Sequence, residues 1–176
     1  MHQYAFETER LLLRPLTPDD AEAAFVWLSD PEVNRYMPYP IYTEVEAARQ
    51  WLASLDGLVD NYIFGIERKE DGLLMGSISV RLKETEPDEW SLGYNLRRDC
   101  WRQGYATEAA RGLLDFACHT LGVRHFTAEH AVANPASGSV LRHCGFVYVQ
   151  DLTYAKMDGS EVFPAKFYKL RLEAAP

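Results

Sequence analysis

Cysteine is scarce: the 176 residues contain three, Cys100, Cys118 and Cys144, with no CxxC pair. An odd, sparse set argues against a disulfide scaffold or a zinc knuckle and suits a reducing, cytoplasmic compartment. Long apolar runs are missing. No stretch reaches the roughly 18 residues a transmembrane helix needs, so no membrane partner is expected. The opening, Met1-His2-Gln3-Tyr4-Ala5-Phe6-Glu7, has neither a basic start nor a long apolar run, so no secretory signal is expected. Positive charge is in short supply, with 18 Lys+Arg against 26 Asp+Glu and a net charge of −8. That balance disfavours a nucleic-acid binder that reads phosphates through a basic surface. Repeats, low-complexity tracts and Pro/Gly/Ser linkers are also absent. The 47% hydrophobic and 12% aromatic content instead suits a globular domain that can bury a core, read as one domain over 1–176.

The order of elements reads β-α-α-β-β-β-α-β-α-β-β. A strand around Arg10–Arg14 closes at Pro15. Thr17 then caps a helix to about Leu28, with Pro18 at its first position and Asp19 and Asp20 at the positive end of its dipole. A second helix runs from Thr43-Glu44 to Leu55, with Thr43 as cap and Glu46 as its capping-box partner. Between them, residues 34–42 form an aromatic, proline-rich loop. Strands at 62–66 and 73–82 make a hairpin across Asp71-Gly72. A third strand, Glu89–Leu96, carries Gly93 inside it. From Tyr105 the apolar residues recur at three and four, one face of a helix that Gly122 ends. A strand at 123–132, a short helix opened by Asn134-Pro135 and closed by Gly145, and strands at 146–154 and 162–172 complete the chain. The expected fold is α/β (α+β), with a mixed, mostly antiparallel sheet flanked by helices.

The chemistry concentrates between positions 97 and 109. A strand ends, a tight turn follows, and a long helix begins. The first amides of a helix have no partner inside it and carry the positive end of its dipole, which makes an anion site. Gly104 removes the side chain where a phosphate would approach. Arg97, Arg98, Arg102 and Arg111 face only Asp99 and Glu108, a local charge of +2 in a chain of −8. The plainer alternative is a βα turn whose glycine is only steric. Gly93 likewise reads as a bulge or close backbone approach, or as a glycine tolerated beside Trp90 and Tyr94.

Trp101-Arg102-Gln103-Gly104-Tyr105-Ala106-Thr107-Glu108-Ala109 resembles the acyl-CoA-binding signature of the GNAT N-acetyltransferases, closest to the RimJ/RimL-like branch. Gly104 and Ala106 match the general superfamily pattern, and Trp101 stands where Gln or Arg would. Asn134-Pro135-Ala136-Ser137 through Cys144-Gly145-Phe146 is similar to the family's Asn-x-x-Ser…Gly-Phe. Glu7-Thr8-Glu9-Arg10-Leu11-Leu12-Leu13-Arg14-Pro15 is similar to this branch's opening. The resemblance implies a twisted sheet with splayed central strands and acetyl-CoA as co-substrate. It would be held by Leu96, Arg97, Arg102, Gln103, Gly104, Tyr105, Ala106, Thr107, Asn134 and Ser137. The implied activity is direct transfer of acetyl to a primary amine, either a protein N-terminus or a small amine. A non-catalytic acyl-CoA sensor and an unrelated nucleotide-phosphate binder are the alternatives. The chain is expected as a monomer or homodimer.

Such a transfer needs the amine deprotonated, the oxyanion held and the thiolate protonated. The resemblance places Ser137 near the CoA sulfur as the proton donor; the plainer alternative is a serine that caps its helix. Leu141 stands where other branches carry an acidic tyrosine. Glu89, on the strand with Gly93, and Glu161, after the Asp158-Gly159 turn, are candidate bases or else plain surface carboxylates. Tyr36, Met37, Tyr39, Ile41 and Tyr42 are candidates for the acceptor pocket. Acidic clusters at 84–89 and 158–161, if both lie on the acceptor side, favour a cationic acceptor. The histidines show no metal-ligand spacing, and no metal is expected.

Overall fold

The computed structural model describes residues 3–173; Met1 and His2, which open the segment read above for a targeting signal, lie outside the described residues, as do 174–176. The strands are β1 (Phe6–Glu7), β2 (Leu11–Arg14), β3 (Asn61–Arg68), β4 (Leu74–Lys83), β5 (Glu86–Leu96), β6 (His125–Ala131), β7 (Val147–Ala155) and β8 (Val162–Arg171). They form one eight-stranded sheet in the order β1-β2-β3-β4-β5-β6-β8-β7. Every neighbouring pair is antiparallel except β5 and β6, which run parallel. The helices are α1 (Ala21–Leu28), α2 (Pro31–Asn34), α3 (Val45–Ser54), α4 (Tyr105–Thr120) and α5 (Pro135–His143). Among the described residues, no helix is long and apolar enough to cross a membrane.

Alternation along the strands sorts the core onto two faces. Phe64, Ile66, Ile78, Val80 and Phe126 pack with Leu113 and Leu141 of α4 and α5. Leu74 packs with Leu16, Trp27 and Leu52 beneath α1 and α3 on the other face. Gly122 and Gly145, both at positive φ (73° and 86°), terminate α4 and α5 as expected.

Three local expectations are revised. The helix after Thr17 begins as a 3₁₀ turn, Pro18–Asp20, before α1. The Asp20 carboxylate accepts from the Thr17 amide at 2.8 Å and from the Arg14 fork at 2.9 and 3.0 Å. Glu44, not Thr43, is the N-cap of α3, and no side-chain bond caps it. Glu46 instead pairs with Arg49 at 3.4 Å, one turn along. Finally, the one-turn α2 precedes the aromatic loop. Asp30 caps it, and the buried Asn34 amide donates to the carbonyls of Trp27, Leu28 and Asp30.

Gly93 also departs from the bulge reading. It faces Ser79 in unbroken register with β4, and the irregularity of that ladder lies at Leu82/Lys83. The glycine that permits close approach is Gly76, where a Cβ would fall 2.1 Å from the Asn95 carbonyl oxygen.

Candidate active site

β5 and β6 pair at Glu89↔His125, Trp90↔Phe126 and Ser91↔Thr127, and then part. β5 stays with β4 as far as Leu96, and β6 stays with β8 as far as Ala131. A V-shaped gap opens between them. The Arg97 amide donates to Met75 on β4 at 2.8 Å. Period-two alternation therefore turns the backbone groups of Leu92, Tyr94 and Leu96 toward the gap. The Leu96 carbonyl is already taken by the Trp101 indole N–H at 2.8 Å. Trp101 thus ties off the strand end rather than presenting a polar group to a ligand.

At the wide end of the gap lies the turn into α4. Gly104 is its N-cap at φ 81°, and Arg102 is also left-handed at φ 61°. The nearest atom to a built Gly104 Cβ is Arg10 Nη2 at 3.4 Å, so the bare backbone is open to an approaching anion. Arg10 secures the turn. Its guanidinium donates to the Gln103 carbonyl at 3.0 Å and to Glu108 at 2.7 Å. Glu108 also accepts from the Thr8 hydroxyl at 2.6 Å and the Arg10 amide at 2.7 Å. Burial opposes its charge, but these donors win and hold the Glu108 carboxyl below the usual range.

The arginines divide. Arg97 is forked onto Asp99 at 2.6 and 2.8 Å, and Arg98 pairs with Asp30 at 3.4 Å. Arg111 donates to the neutral His143 carbonyl at 2.7 Å, and Arg102 has no partner among the described residues. The uncompensated positive charge therefore sits at Arg102 and Arg111. Arg10, Gly104, Thr107, Arg111 and His143 line a surface groove there.

Across the gap, Asn134 caps α5, its side chain accepting from the Ser137 amide at 3.4 Å. This leaves the Ser137 hydroxyl free of capping duty. It lies 2.8 Å from the Tyr94 hydroxyl, which also bonds the Ser137 carbonyl at 3.0 Å. Tyr94 is a residue that the sequence reading missed. Burial drives its pKa up, so it stays a neutral phenol and a donor. Leu141 is buried in the core, and the phenol beside Ser137 arrives from β5 instead.

The opposite face of the gap is walled by the aromatic loop. Tyr39 accepts from the Asn95 side chain at 2.9 Å, and burial pushes its own pKa up to about 12. The β7–β8 hairpin leans on the same loop. Tyr154 donates to the Tyr36 carbonyl at 2.6 Å, and the Met157 amide to the Pro38 carbonyl at 2.7 Å. Glu161 lies at this hairpin; burial is the main reason the Tyr154 phenol is pushed up to about 12, and the nearby Glu129, Tyr36 and Glu161 add to it. Glu89 is placed differently. It stands on the closed part of the sheet, ion-paired with Lys169 and with Lys83. The two acidic turns are also separate. Glu86, at the start of β5, is about 23 Å of strand from Gly93, so only the hairpin turn flanks the wide end of the gap. Among the described residues, no cluster of three or more His, Cys, Asp or Glu side chains could hold a metal.

A family model described as an acetyltransferase (GNAT) domain matches residues 10–147. The chain belongs to the GNAT acetyltransferase family. An uncharacterised N-acetyltransferase, p20, from Bacillus licheniformis is 31% identical over 144 residues, covering 79% of this chain and 80% of that protein. The GNAT acetyltransferase from Bacillus anthracis superposes with a TM-score of 0.84 at 23% identity, over 96% of this chain and 98% of that one. The microcin C7 self-immunity acetyltransferase MccE, solved with acetyl-CoA and AMP, superposes at 0.80 and 18% identity, over 94% of each chain. Ribosomal-protein acetyltransferases are among the further structural matches. As a GNAT protein the chain is an acetyltransferase, and the parting of β5 from β6 is the splay the resemblance implied.

Proposed function

We propose that this acetyltransferase moves the acetyl group of acetyl-CoA directly to a primary amine, a protein N-terminus or a small amine, within a ternary complex. The observation that carries the reading is the parting of β5 and β6 after Ser91↔Thr127. It leaves a slot with unpaired backbone edges, an anion-binding turn at one end and a hydroxyl pair inside. The amides of Arg102, Gln103, Gly104, Tyr105, Ala106 and Thr107 hold the pyrophosphate. Leu96 and Arg97 form the wall beside it, and Asn134 and Ser137 face them from α5. A backbone amide of β5 turned into the slot stabilises the developing oxyanion. Ser137, backed by Tyr94, protonates the departing thiolate. Glu89 is taken up by ion pairs to Lys83 and Lys169 on the closed part of the sheet, and Glu161 sits at the rim of the acceptor side.

The protein works in the cytoplasm, as a monomer or homodimer. Its three cysteines are free thiols, which suits that compartment. The test is an acceptor panel scored by release of CoA thiol. It should contain peptides with free N-termini, polyamines, and neutral and acidic amines. Cationic amines should turn over, with kcat/KM falling as salt rises. Thiol release favouring acidic amines, or none above the rate without acceptor, would refute the reading.

A further inference from the structure

His130 is a buried polar side chain that the acetyl-transfer reading leaves unused. It stands near the end of β6, where pairing with β8 continues (His130↔Lys166) after β5 has left. Alternation puts it on the face of Phe126 and Ala128, which share a core with Leu141 of α5. The first turn of α5 lies directly on its ring. A Cβ built on Gly138 would fall 2.4 Å from His130 Nε2 and 2.7 Å from Cε1, so only a glycine lets the helix rest there.

The ring is fixed at both nitrogens. Nδ1 lies 2.8 Å from the Ala131 carbonyl oxygen, which can only accept, so Nδ1 carries the proton. Nε2 lies 3.3 Å from the buried Tyr168 hydroxyl, and in the neutral ring it accepts from that O–H. The Ala131 carbonyl also accepts from the Asn134 amide at 2.8 Å. Asn134 is the cap whose side chain accepts from the Ser137 amide. The imidazole thus meets α5 on both sides of Ser137: through Ala131 and Asn134 before it, and against Gly138 after it.

We propose that His130 is a positioning residue for acetyl transfer, seating the first turn of α5 so that the Ser137 hydroxyl is held against Tyr94 in the slot. The inference rests on the acetyl-transfer reading above and on its use of Ser137 as the proton donor.

A hydrocarbon of similar size would fill the space without doing this. It would leave the Tyr168 hydroxyl without its ring partner and the Ala131 carbonyl with one donor instead of two. The 3.4 Å bond from the Ser137 amide to Asn134 is long for its kind, so a small tilt of the turn breaks it. Tyr94 grips the serine only from β5, through its hydroxyl and carbonyl. A reacting group misplaced by about 1 Å can cost about 10²-fold in rate.

The test uses the full chain, the best amine of the panel and a double-mutant cycle with Ser137→Ala. His130→Phe should lower kcat by about tenfold or more, with KM for acetyl-CoA little changed. In the Ser137→Ala background the same substitution should cost less than about twofold, because the group it positions is gone. His130→Asn keeps a donor for the Ala131 carbonyl and should recover part of the rate. Gly138→Ala deletes no polar group and pushes the turn off the ring from the helix side. It should give the same coupled loss, and it takes the place of His130→Phe if that variant does not fold. Equal losses in the two backgrounds, or a parent-like kcat, would overturn the assignment and leave the acetyl-transfer reading standing. If the parent turns over no amine, that reading fails instead, and amide hydrogen exchange decides this one. The Ser137 amide should exchange at least about tenfold faster in the variant than in the parent, with the amides of α4 unchanged. Unchanged exchange at Ser137 would overturn the proposal.

Discussion

The Tyr94 hydroxyl lies 2.8 Å from Ser137 Oγ and bonds the carbonyl of the same serine, joining β5 to α5 across the gap where β5 leaves β6. The capping of α5 falls to Asn134. A hydroxyl that neither caps the helix nor is buried in the core is available for chemistry, and a neighbouring phenol fixes its direction.

Ser137→Ala should therefore lower kcat by about 10²-fold or more while leaving KM for acetyl-CoA nearly unchanged, since proton donation matters mainly in the transition state. Tyr94→Phe should cost about fivefold to tenfold, the worth of one neutral hydrogen bond. Steady-state kinetics beside a melting curve check this. A large fall in melting temperature for Ser137→Ala with unchanged kcat would make the serine structural.

Gly104→Val should weaken acetyl-CoA binding by at least about tenfold in calorimetry. Gly104 has φ 81°, a region that costs a side chain about 1–2 kcal/mol, and the branch would stand in the anion's path. Gly104→Ala carries the strain without the branch and should fall between the two. Equal affinity in all three would place the anion elsewhere.

Gly76→Ala should destabilise the fold by about 3 kcal/mol or more, read from denaturant midpoints. Its Cβ would overlap the Asn95 carbonyl at 2.1 Å, and backbone on a paired strand cannot move aside cheaply. Gly93→Ala tests the contrast. Its Cβ would meet only Ser79 Oγ, in ordinary contact at 3.6 Å, so stability should hold while activity drops, because the added methyl enters the slot.

The Arg14–Asp20 pair should make stability depend on acid. Burial opposes the Asp20 charge, but the Arg14 fork and the Thr17 donors outweigh it and hold its pKa below the unfolded value. A depressed carboxylate stabilises the fold above its unfolded pKa of about 3.9 and loses that contribution as pH falls through the folded value. Asp20→Asn should melt lower than the parent at neutral pH, and the difference should shrink below about pH 4. Melting curves from pH 7 to about pH 2 check it. A constant gap would show that charge is not involved.

Much of the fold is legible in the order of residues. The period-three-and-four pattern from Tyr105, the glycines at 122 and 145, and the alternation in β3 to β5 each express local backbone and burial preferences. Thr43 misled because a capping box needs the chain to enter the helix at that residue. The aromatic loop sets the entry one residue later, at Glu44. The Gly104 turn was readable because helix geometry alone leaves its amides unpaired.

What the chain order determines by itself is the main strands and helices, the anion-binding turn into α4 and the family those motifs imply. Tertiary structure decided the rest. Tyr94 and Ser137 are 43 residues apart, and only the course of β5 beside α5 brings their hydroxyls together. Arg97 and Arg98 look cationic in sequence, yet Asp99 and Asp30 neutralise them. Glu89 and Glu129 are both strand carboxylates, and nothing in their neighbours along the chain separates them. Register does: Glu89 lies where β5 and β6 are still bonded and two lysines reach it, whereas Glu129 lies two residues past the last pair. The electrostatics of a carboxylate depend on the charges and water within a few ångströms, and those are set by which strands pair and where the pairing stops.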